Sequence, residues 1–305
     1  MPIVYLILGL LAAVAAFLWF LFRFRIRGKH FDSNGVRIHY TDEGSGTPII
    51  LVHGFAVNAD LNWRWGGCVR KLRNAGYRVI MLDVRGHGLS DKPRDPAAYG
   101  TELSDDIIRL MDHLGIPKAH VAGYSMGGFI TMKTIERHPE RLLSGIVCGA
   151  GWSELNEEIL GLFKEIVTAM EQRRSVAPIT HWLEVKKRAP EIQCKIVDFV
   201  VGLFNDLDAI VNVFRTFEAL SVPEEALRKN TVPTLVLVGT KDGIRVTSDQ
   251  LPGLMQNLQL VYIEGGDHLS TVPHPVFMRS MVDFLRATDA QTSPSTGSSA
   301  QPATA

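Results

Sequence analysis

Residues 30–42 alternate apolar and polar positions around Asn34-Gly35, which predicts a β-hairpin closed by a two-residue turn. Ile49-Ile50-Leu51-Val52 is a continuous apolar run, as expected of a strand buried on both faces. Similar runs recur at 79–82, 119–122, 145–148, 234–238 and 260–263. Between them apolar residues return at helical spacing, as at Leu103, Ile107, Leu110, Met111 and Leu114. This alternation predicts an α/β fold with a doubly wound, mostly parallel sheet. The alternation breaks over 152–221, where the pattern is helical and strand signals are absent. We expect an inserted helical cap there, dividing the core into 29–151 and 222–287. Residues 288–305 are Ser, Thr, Ala, Gln, Pro and Gly with Asp289 as the only charge, which predicts a disordered tail.

The first twenty-odd residues follow neither pattern. Residues 3–22 carry no charge, and no face of the segment is polar. Twenty residues at about 1.5 Å each span about 30 Å, the thickness of a bilayer's hydrocarbon core. Tyr5 and Trp19 stand near the two ends, and Arg23, Arg25, Arg27 and Lys29 follow at once. The expectation is an uncleaved transmembrane anchor with its basic flank over 1–28. A cleaved signal peptide competes, since Ala13-Val14-Ala15 imitates a cleavage site, but no Lys or Arg precedes the apolar run. The flanking charges place the bulk of the chain in the cytoplasm under the positive-inside rule; export is the alternative.

Composition narrows the function classes. Lys plus Arg number 32 and Asp plus Glu 32, so the formal net charge is zero, which argues against a general nucleic-acid binder. Cys68, Cys148 and Cys194 are few, odd in number and widely spaced, which makes neither a disulfide framework nor a zinc site. No phosphate loop, dinucleotide fingerprint or metal cluster occurs, so neither a cofactor nor a metal is expected.

The chemistry concentrates in Gly123-Tyr124-Ser125-Met126-Gly127, a G-x-S-x-G sequence directly after one predicted strand and before helical sequence. Such a serine must sit on a sharp strand-to-helix turn, and glycines at both flanking positions remove side chains that would clash there. The helix that starts at the turn aims its N–H groups at a developing oxyanion. Downstream of the predicted first core strand lies His53-Gly54-Phe55, and further on Asp83-Val84-Arg85-Gly86-His87-Gly88-Leu89-Ser90. Together these motifs resemble the α/β-hydrolase fold superfamily over roughly residues 30–285. The resemblance implies a Ser–acid–His triad in that chain order, with Ser125 as nucleophile. It implies Phe55 and Met126 as backbone N–H donors of an oxyanion hole, and a bracing rather than chemical role for Asp83, Arg85 and His87.

Asp242, in the turn after the strand at 234–238, is the acid that this order implies; Glu154 is a rival. His268, in the last loop before the final helix, is the implied base. Asp267 beside it reads as a loop residue, and the remaining histidines (30, 39, 113, 120, 138, 181 and 274) lie on predicted strands, helix surfaces or turns without a motif. A serine nucleophile disfavours epoxide hydrolysis and dehalogenation, which use Asp in this fold, and points to acyl transfer: hydrolysis of a carboxylic ester or a related acyl bond through an acyl-enzyme. A C–C hydrolase or acyltransferase on the same triad is the alternative within enzymes. A ligand-binding member without catalysis is the alternative outside them. The cap is rich in Leu, Ile and Phe, including Phe163, Phe214 and Phe217, which suits a small apolar ester or acyl substrate. The partners expected are that substrate and membrane lipid through the N-terminal helix, with no nucleic acid.

Overall fold

A computed structural model describes residues 28–154, 156–173, 201–202 and 205–292. One eight-stranded sheet organises them: β1 Lys29–Ser33, β2 Val36–Glu43, β3 Pro48–Val52, β4 Arg78–Leu82, β5 Ala119–Tyr124, β6 Leu142–Cys148, β7 Thr234–Gly239 and β8 Leu258–Ile263. Their spatial order is β1-β2-β4-β3-β5-β6-β7-β8. The β1–β2 and β2–β4 pairs are antiparallel and all other neighbours are parallel. Asn34 and Gly35 take φ 57° and 81°, the turn that matches the twist of a tight hairpin.

The apolar runs are buried on both faces because the strands are covered by helices on both. Ile50, Val52, Ile80, Leu82 and Val121 pack with Leu103, Ile107, Leu110, Met111 and Ile130 from the helices α2 Glu102–His113 and α3 Met126–Arg137. Their alternate neighbours Ile49, Leu51, Val79, Met81 and Ala122 pack on the other face. Their partners there are Cys68, Val69 and Leu72 of α1 Cys68–Asn74, and Phe277, Met281 and Leu285 of the last helix, Pro275–Thr292. The period of two thus sorts one uninterrupted run into two cores. β8 departs from the expectation. It is the outer strand, three of its six residues are half-buried and two, Gln259 and Tyr262, are exposed, because only one neighbour covers it.

Between β6 and β7 stand α4 Glu157–Arg173, α5 Leu207–Arg215, a 3₁₀ turn Phe217–Leu220 and α6 Glu224–Arg228. The two ends of this insertion are tied together by Trp152, whose indole N–H donates to the Val222 carbonyl at 2.7 Å. The part of the expected cap at 174–200 lies outside the described residues, as does the expected anchor before Gly28. Among the described residues no helix is long and apolar enough to cross a membrane.

The expected tail needs a correction. The last helix, α8 (α7 being Arg245–Ser248), runs to Thr292, so residues 288–292 are helical. Thr288 is buried, and Asp289 accepts from Tyr77 Oη at 2.9 Å and pairs with His120 Nε2 at 3.1 Å. Composition looked tail-like because the helix's last turn is held by one tertiary anchor rather than by an apolar stripe.

Candidate active site

The chain order of the sheet creates the crevice. After β3 the chain runs outward to β4, then crosses back so that β5 lies on the other side of β3. Loops leaving the C-terminal ends of β3 and β5 therefore diverge, and ligands of open α/β sheets bind in such a gap. Those two loops carry Phe55 and Ser125.

Ser125 takes φ 55° and ψ −117°, a conformation that costs a non-glycine residue about 1–3 kcal/mol. The surroundings impose it. A Cβ on Gly123 would lie 1.9 Å from the Gly127 carbonyl oxygen, and one on Gly127 would lie 2.2 Å from the Val52 carbonyl oxygen. Only glycine fits either place, which is the physical content of the motif. The turn is closed by Ser125 N–H donating to the Cys148 carbonyl at 2.7 Å and by the Gly128 N–H donating to the Ser125 carbonyl at 2.8 Å.

His268 Nε2 lies 2.9 Å from Ser125 Oγ. Its Nδ1 lies 2.9 Å and 3.1 Å from the two carboxylate oxygens of Asp242, a buried residue whose Oδ1 also accepts the Ile244 N–H at 3.0 Å. The three residues expected from chain order are thus brought together in one hydrogen-bonded row. The loops bearing Asp242 and His268 are stitched to each other. Lys241 N–H donates to the Gly266 carbonyl at 2.9 Å, and Thr240 N–H to the Ile263 carbonyl at 3.0 Å. Glu154, the rival acid, is exposed beyond the end of β6. Asp267 is occupied locally: its Oδ1 accepts the N–H groups of Leu269 and Ser270 at 3.0 and 2.8 Å.

The loop after β3 is held from several sides. Gly54 N–H donates to Asn62 Oδ1 at 2.8 Å, and Ala56 N–H to His87 Nε2 at 3.2 Å. Among the described residues the N–H groups of Phe55 and Met126 donate to no acceptor. The arrangement leaves two donors beside the serine while their neighbours are tied down. His53 accepts the Val84 N–H at 2.9 Å through Nε2, and its Nδ1–H donates to the Gly54 carbonyl at 2.7 Å. Both histidines must be neutral to play these parts. Burial lowers His53, and burial together with its neighbour His53 takes His87 down to about 3. Asp83 accepts from the N–H groups of Ala59 and Leu89 at 3.0 and 2.9 Å and pairs with His39 Nδ1 at 3.0 Å. Its burial opposes ionisation, but His39, the nearby His53 and the two N–H donors outweigh that and hold it at about 2. Arg85 is buried and forms a two-pronged pair with Asp106, at 2.7 and 2.6 Å. The loop expected to brace the site therefore braces it through named bonds.

Several of the motif-less histidines carry more than their sequence suggested. His39 and His120 are buried, and His120 Nδ1 lies 2.7 Å from Ser144 Oγ. His138 pairs with Asp105 at 2.9 Å. His181 lies outside the described residues. Sequence reading also missed Tyr124, whose hydroxyl donates to the His268 carbonyl and whose ring lies 5.4 Å from the imidazole. It missed Asn62 as well. Tyr124 occupies an unconstrained position of the motif, and Asn62 lies in a turn of π-helix, Asp60–Arg64, that hydropathy does not announce.

The insertion contributes aromatic rings that join those of the core in succession. Phe55 meets Phe214 at 5.7 Å, Phe214 stacks on Phe217 at 5.3 Å, and Phe217 meets Phe129 of α3 at 5.3 Å. Phe129, Met132, Trp152, Phe163, Phe217 and Leu220 enclose most of an apolar cavity of about 60 Å³.

Comparison with known proteins agrees with this architecture. The acetyltransferase component (dihydrolipoyllysine-residue) of the acetoin cleaving system of Pseudomonas putida is 37% identical over 79% of this chain. The match spans 64% of that relative's length, slightly under two thirds. A non-heme chloroperoxidase, so designated provisionally, from Synechocystis is 29% identical over 80% of this chain and 92% of its own. Among solved structures, a carboxylesterase of Nitrososphaera gargenis superposes with a TM-score of 0.69 at 21% identity, covering 87% of this chain and 100% of that one, a likeness of fold. The profile of the family described as alpha/beta hydrolase fold matches residues 47–275. With that match across three quarters of its length, and with the sheet order and the serine turn described above, the chain belongs to the α/β hydrolase fold family.

Proposed function

We propose that the chain is a membrane-anchored serine hydrolase that cleaves a carboxylic ester, or a related acyl bond, of a small apolar substrate. The observation that carries the reading is the row Ser125 Oγ–His268 Nε2–His268 Nδ1–Asp242, with contacts of 2.9 Å on either side of the imidazole. In this reading His268 takes the Ser125 proton as the hydroxyl attacks the acyl carbon and returns it to the leaving alcohol. Asp242 holds the ring's tautomer and orientation and stabilises the imidazolium. The N–H groups of Phe55 and Met126 receive the developing oxyanion. Water, deprotonated by the same imidazole, then releases the acid from the acyl-enzyme. The aromatic succession from Phe55 to Phe129 supports an apolar acyl or alkyl group, since its ring faces offer apolar contact.

Anchoring rests on the uncharged residues 3–22 and the basic residues that follow, and these also support a cytoplasmic catalytic domain. A fluorophosphonate probe tests the chemistry: it should label the wild type at Ser125 and leave Ser125→Ala unlabelled. Wild-type protein that resists labelling would sink the reading. Carbonate extraction and an intact N-terminal mass test the anchor; a soluble species beginning near Ala16 would overturn it.

A further inference from the structure

Among the described residues, three that are not glycine take a positive φ: Asn34, Ala56 and Ser125, at 57°, 57° and 55°. Asn34 turns the first hairpin, and Ser125 sits on the strained turn of the nucleophile. Ala56 needs another reason. The left-handed region is disfavoured for a residue with a Cβ and persists only where the surroundings impose it. Ala56 directly follows Phe55, whose N–H is one of the two oxyanion donors in the proposed mechanism.

Both peptides that meet at Ala56 are tied. Its N–H donates to His87 Nε2 at 3.2 Å. Its carbonyl accepts from Asn205 Nδ2 at 3.0 Å, and Asn205 stands on the insertion, just ahead of α5. The peptide before Phe55 is tied as well, since the Gly54 carbonyl accepts from His53 Nδ1 at 2.7 Å. A trans peptide points its N–H away from its C=O, so that bond sets the direction of the Phe55 N–H. Release of Ala56 to a negative φ would swing the chain that leaves Phe55 and draw this peptide with it. The His53 and His87 bonds come from the core, and the Asn205 bond comes from the insertion.

Asn205 is oriented for this contact. Its amide nitrogen also lies 3.0 Å from the Val201 carbonyl, so both amide protons have an acceptor. The reverse orientation would set Oδ1 against two carbonyl oxygens, so chemistry fixes which atom is nitrogen. Neighbouring bonds place the residue. Its own N–H donates to the Val201 carbonyl at 2.9 Å. Asp206 caps α5 by accepting from the N–H groups of Asp208 and Ala209, at 3.1 and 3.2 Å, and is gripped by both prongs of Arg94 at 2.8 and 2.7 Å.

We infer that Asn205 is a positioning residue: it holds Ala56 in the left-handed conformation and so keeps the Phe55 N–H aimed at the oxyanion. The insertion thereby completes a hole whose donors belong to the core. The inference rests on the serine-hydrolase reading. It requires Asn205 to act in the transition state, where the oxyanion forms, and not on substrate binding.

The test measures variants of the full chain on a nitrophenyl ester, with rates counted per site labelled by a fluorophosphonate so that unfolded protein does not enter. Asn205→Ala should lower kcat about tenfold, less than the roughly 10²–10³-fold cost of deleting a donor outright, with KM within about twofold. Asn205→Asp should lower it further, because a carboxylate oxygen then faces two carbonyls. An alkyl trifluoromethyl ketone, whose hemiketal oxyanion fills the hole, should lose affinity by the same factor as kcat. Glycine takes a positive φ without strain, so in an Ala56→Gly background the loss caused by Asn205→Ala should shrink to about threefold or less. Arg94→Met, which loosens the same stretch of the insertion without touching Ala56, should keep kcat within about twofold, as expected of an exposed pair. An undiminished loss in the Ala56→Gly background overturns the inference, since Asn205 would then act through the packing of the insertion. So does an unchanged kcat in Asn205→Ala, a loss carried by KM alone, or an equal loss in Arg94→Met. A wild type that takes no fluorophosphonate ends the hydrolase reading and the inference with it. A labelled wild type indifferent to Asn205→Ala leaves that reading standing and removes the inference alone.

Discussion

Ser125 is held at a positive φ by a turn that admits no Cβ on either neighbouring glycine, and its hydroxyl meets an imidazole whose other nitrogen is already engaged by Asp242. Three residues so coupled should fail as a unit. Ser125→Ala and His268→Ala should each remove most of the activity on a nitrophenyl ester, and the double variant should be no worse than either alone. Asp242→Asn leaves the shape intact but favours the wrong tautomer, a change that costs serine proteases about 10⁴ in rate. Glu154→Gln should stay within about tenfold, or roughly 1.4 kcal/mol of barrier, in keeping with its exposed position. Steady-state kinetics on the five variants would check this; a fatal Glu154→Gln beside a harmless Asp242→Asn would reassign the acid. Tyr124 adds a subtler case. Its hydroxyl bonds the carbonyl of His268, so Tyr124→Phe should lower kcat with little change in KM, by up to about tenfold for a hydrogen bond of 0.5–1.5 kcal/mol.

At the scale of elements, the site depends on loops that are braced from behind. Arg85 and Asp106 pair with both prongs in the interior, joining the loop after β4 to α2. Removing one member of a buried pair leaves an uncompensated charge, which costs about 3–5 kcal/mol. Arg85→Met should lower the urea midpoint accordingly, while the folded fraction keeps its turnover, because Arg85 touches none of Ser125, Asp242 and His268. A normal midpoint with lost turnover would contradict the bracing role. The insertion shows the same logic at its neck, where Trp152 from the end of β6 bonds Val222 just before α6.

At the scale of the whole molecule, several buried groups near the site link stability to pH in one direction. His87 is held down to about 3 and His53 is lowered as well, so between that value and the ordinary histidine range the unfolded chain binds protons that the native state refuses. Stability is therefore present above about pH 6.5 and should fall as the pH drops, by roughly 1.4 kcal/mol per unit for His87 down to about pH 3, with a contribution of the same sign from His53. Asp83, held at about 2, adds to the same loss below about pH 4. Urea midpoints between pH 7 and 4 should decline, and His87→Asn should flatten the slope; a flat wild-type profile would refute the neutral-histidine assignment. The C-terminal helix provides a second test. Cutting the chain after Leu285 or Arg286 removes Asp289 from buried His120 and from Tyr77, and should destabilise by about 1–3 kcal/mol for the polar groups left unpaired.

The strands, their parallel arrangement and the serine turn were legible in the sequence because each rests on a local rule. A run of Ile and Val must be covered twice, an Asn-Gly pair turns a hairpin, and glycines must flank a serine at a crowded corner. The positions of Asp242 and His268 followed from the chain order that the family resemblance implies, which records the sequence of strand ends. What the sequence left undecided depends on contacts between distant segments. Asn62 was invisible until the fold set its side chain against Gly54, and Tyr124 until it brought the His268 carbonyl overhead. Residues 288–292 read as a tail because the partners of Asp289, His120 and Tyr77, lie 169 and 212 positions away. His39 read as an ordinary strand residue until the antiparallel β2 set it against Asp83. Periodicity reports which side of an element faces inward, whereas only the assembled fold determines which polar group waits there.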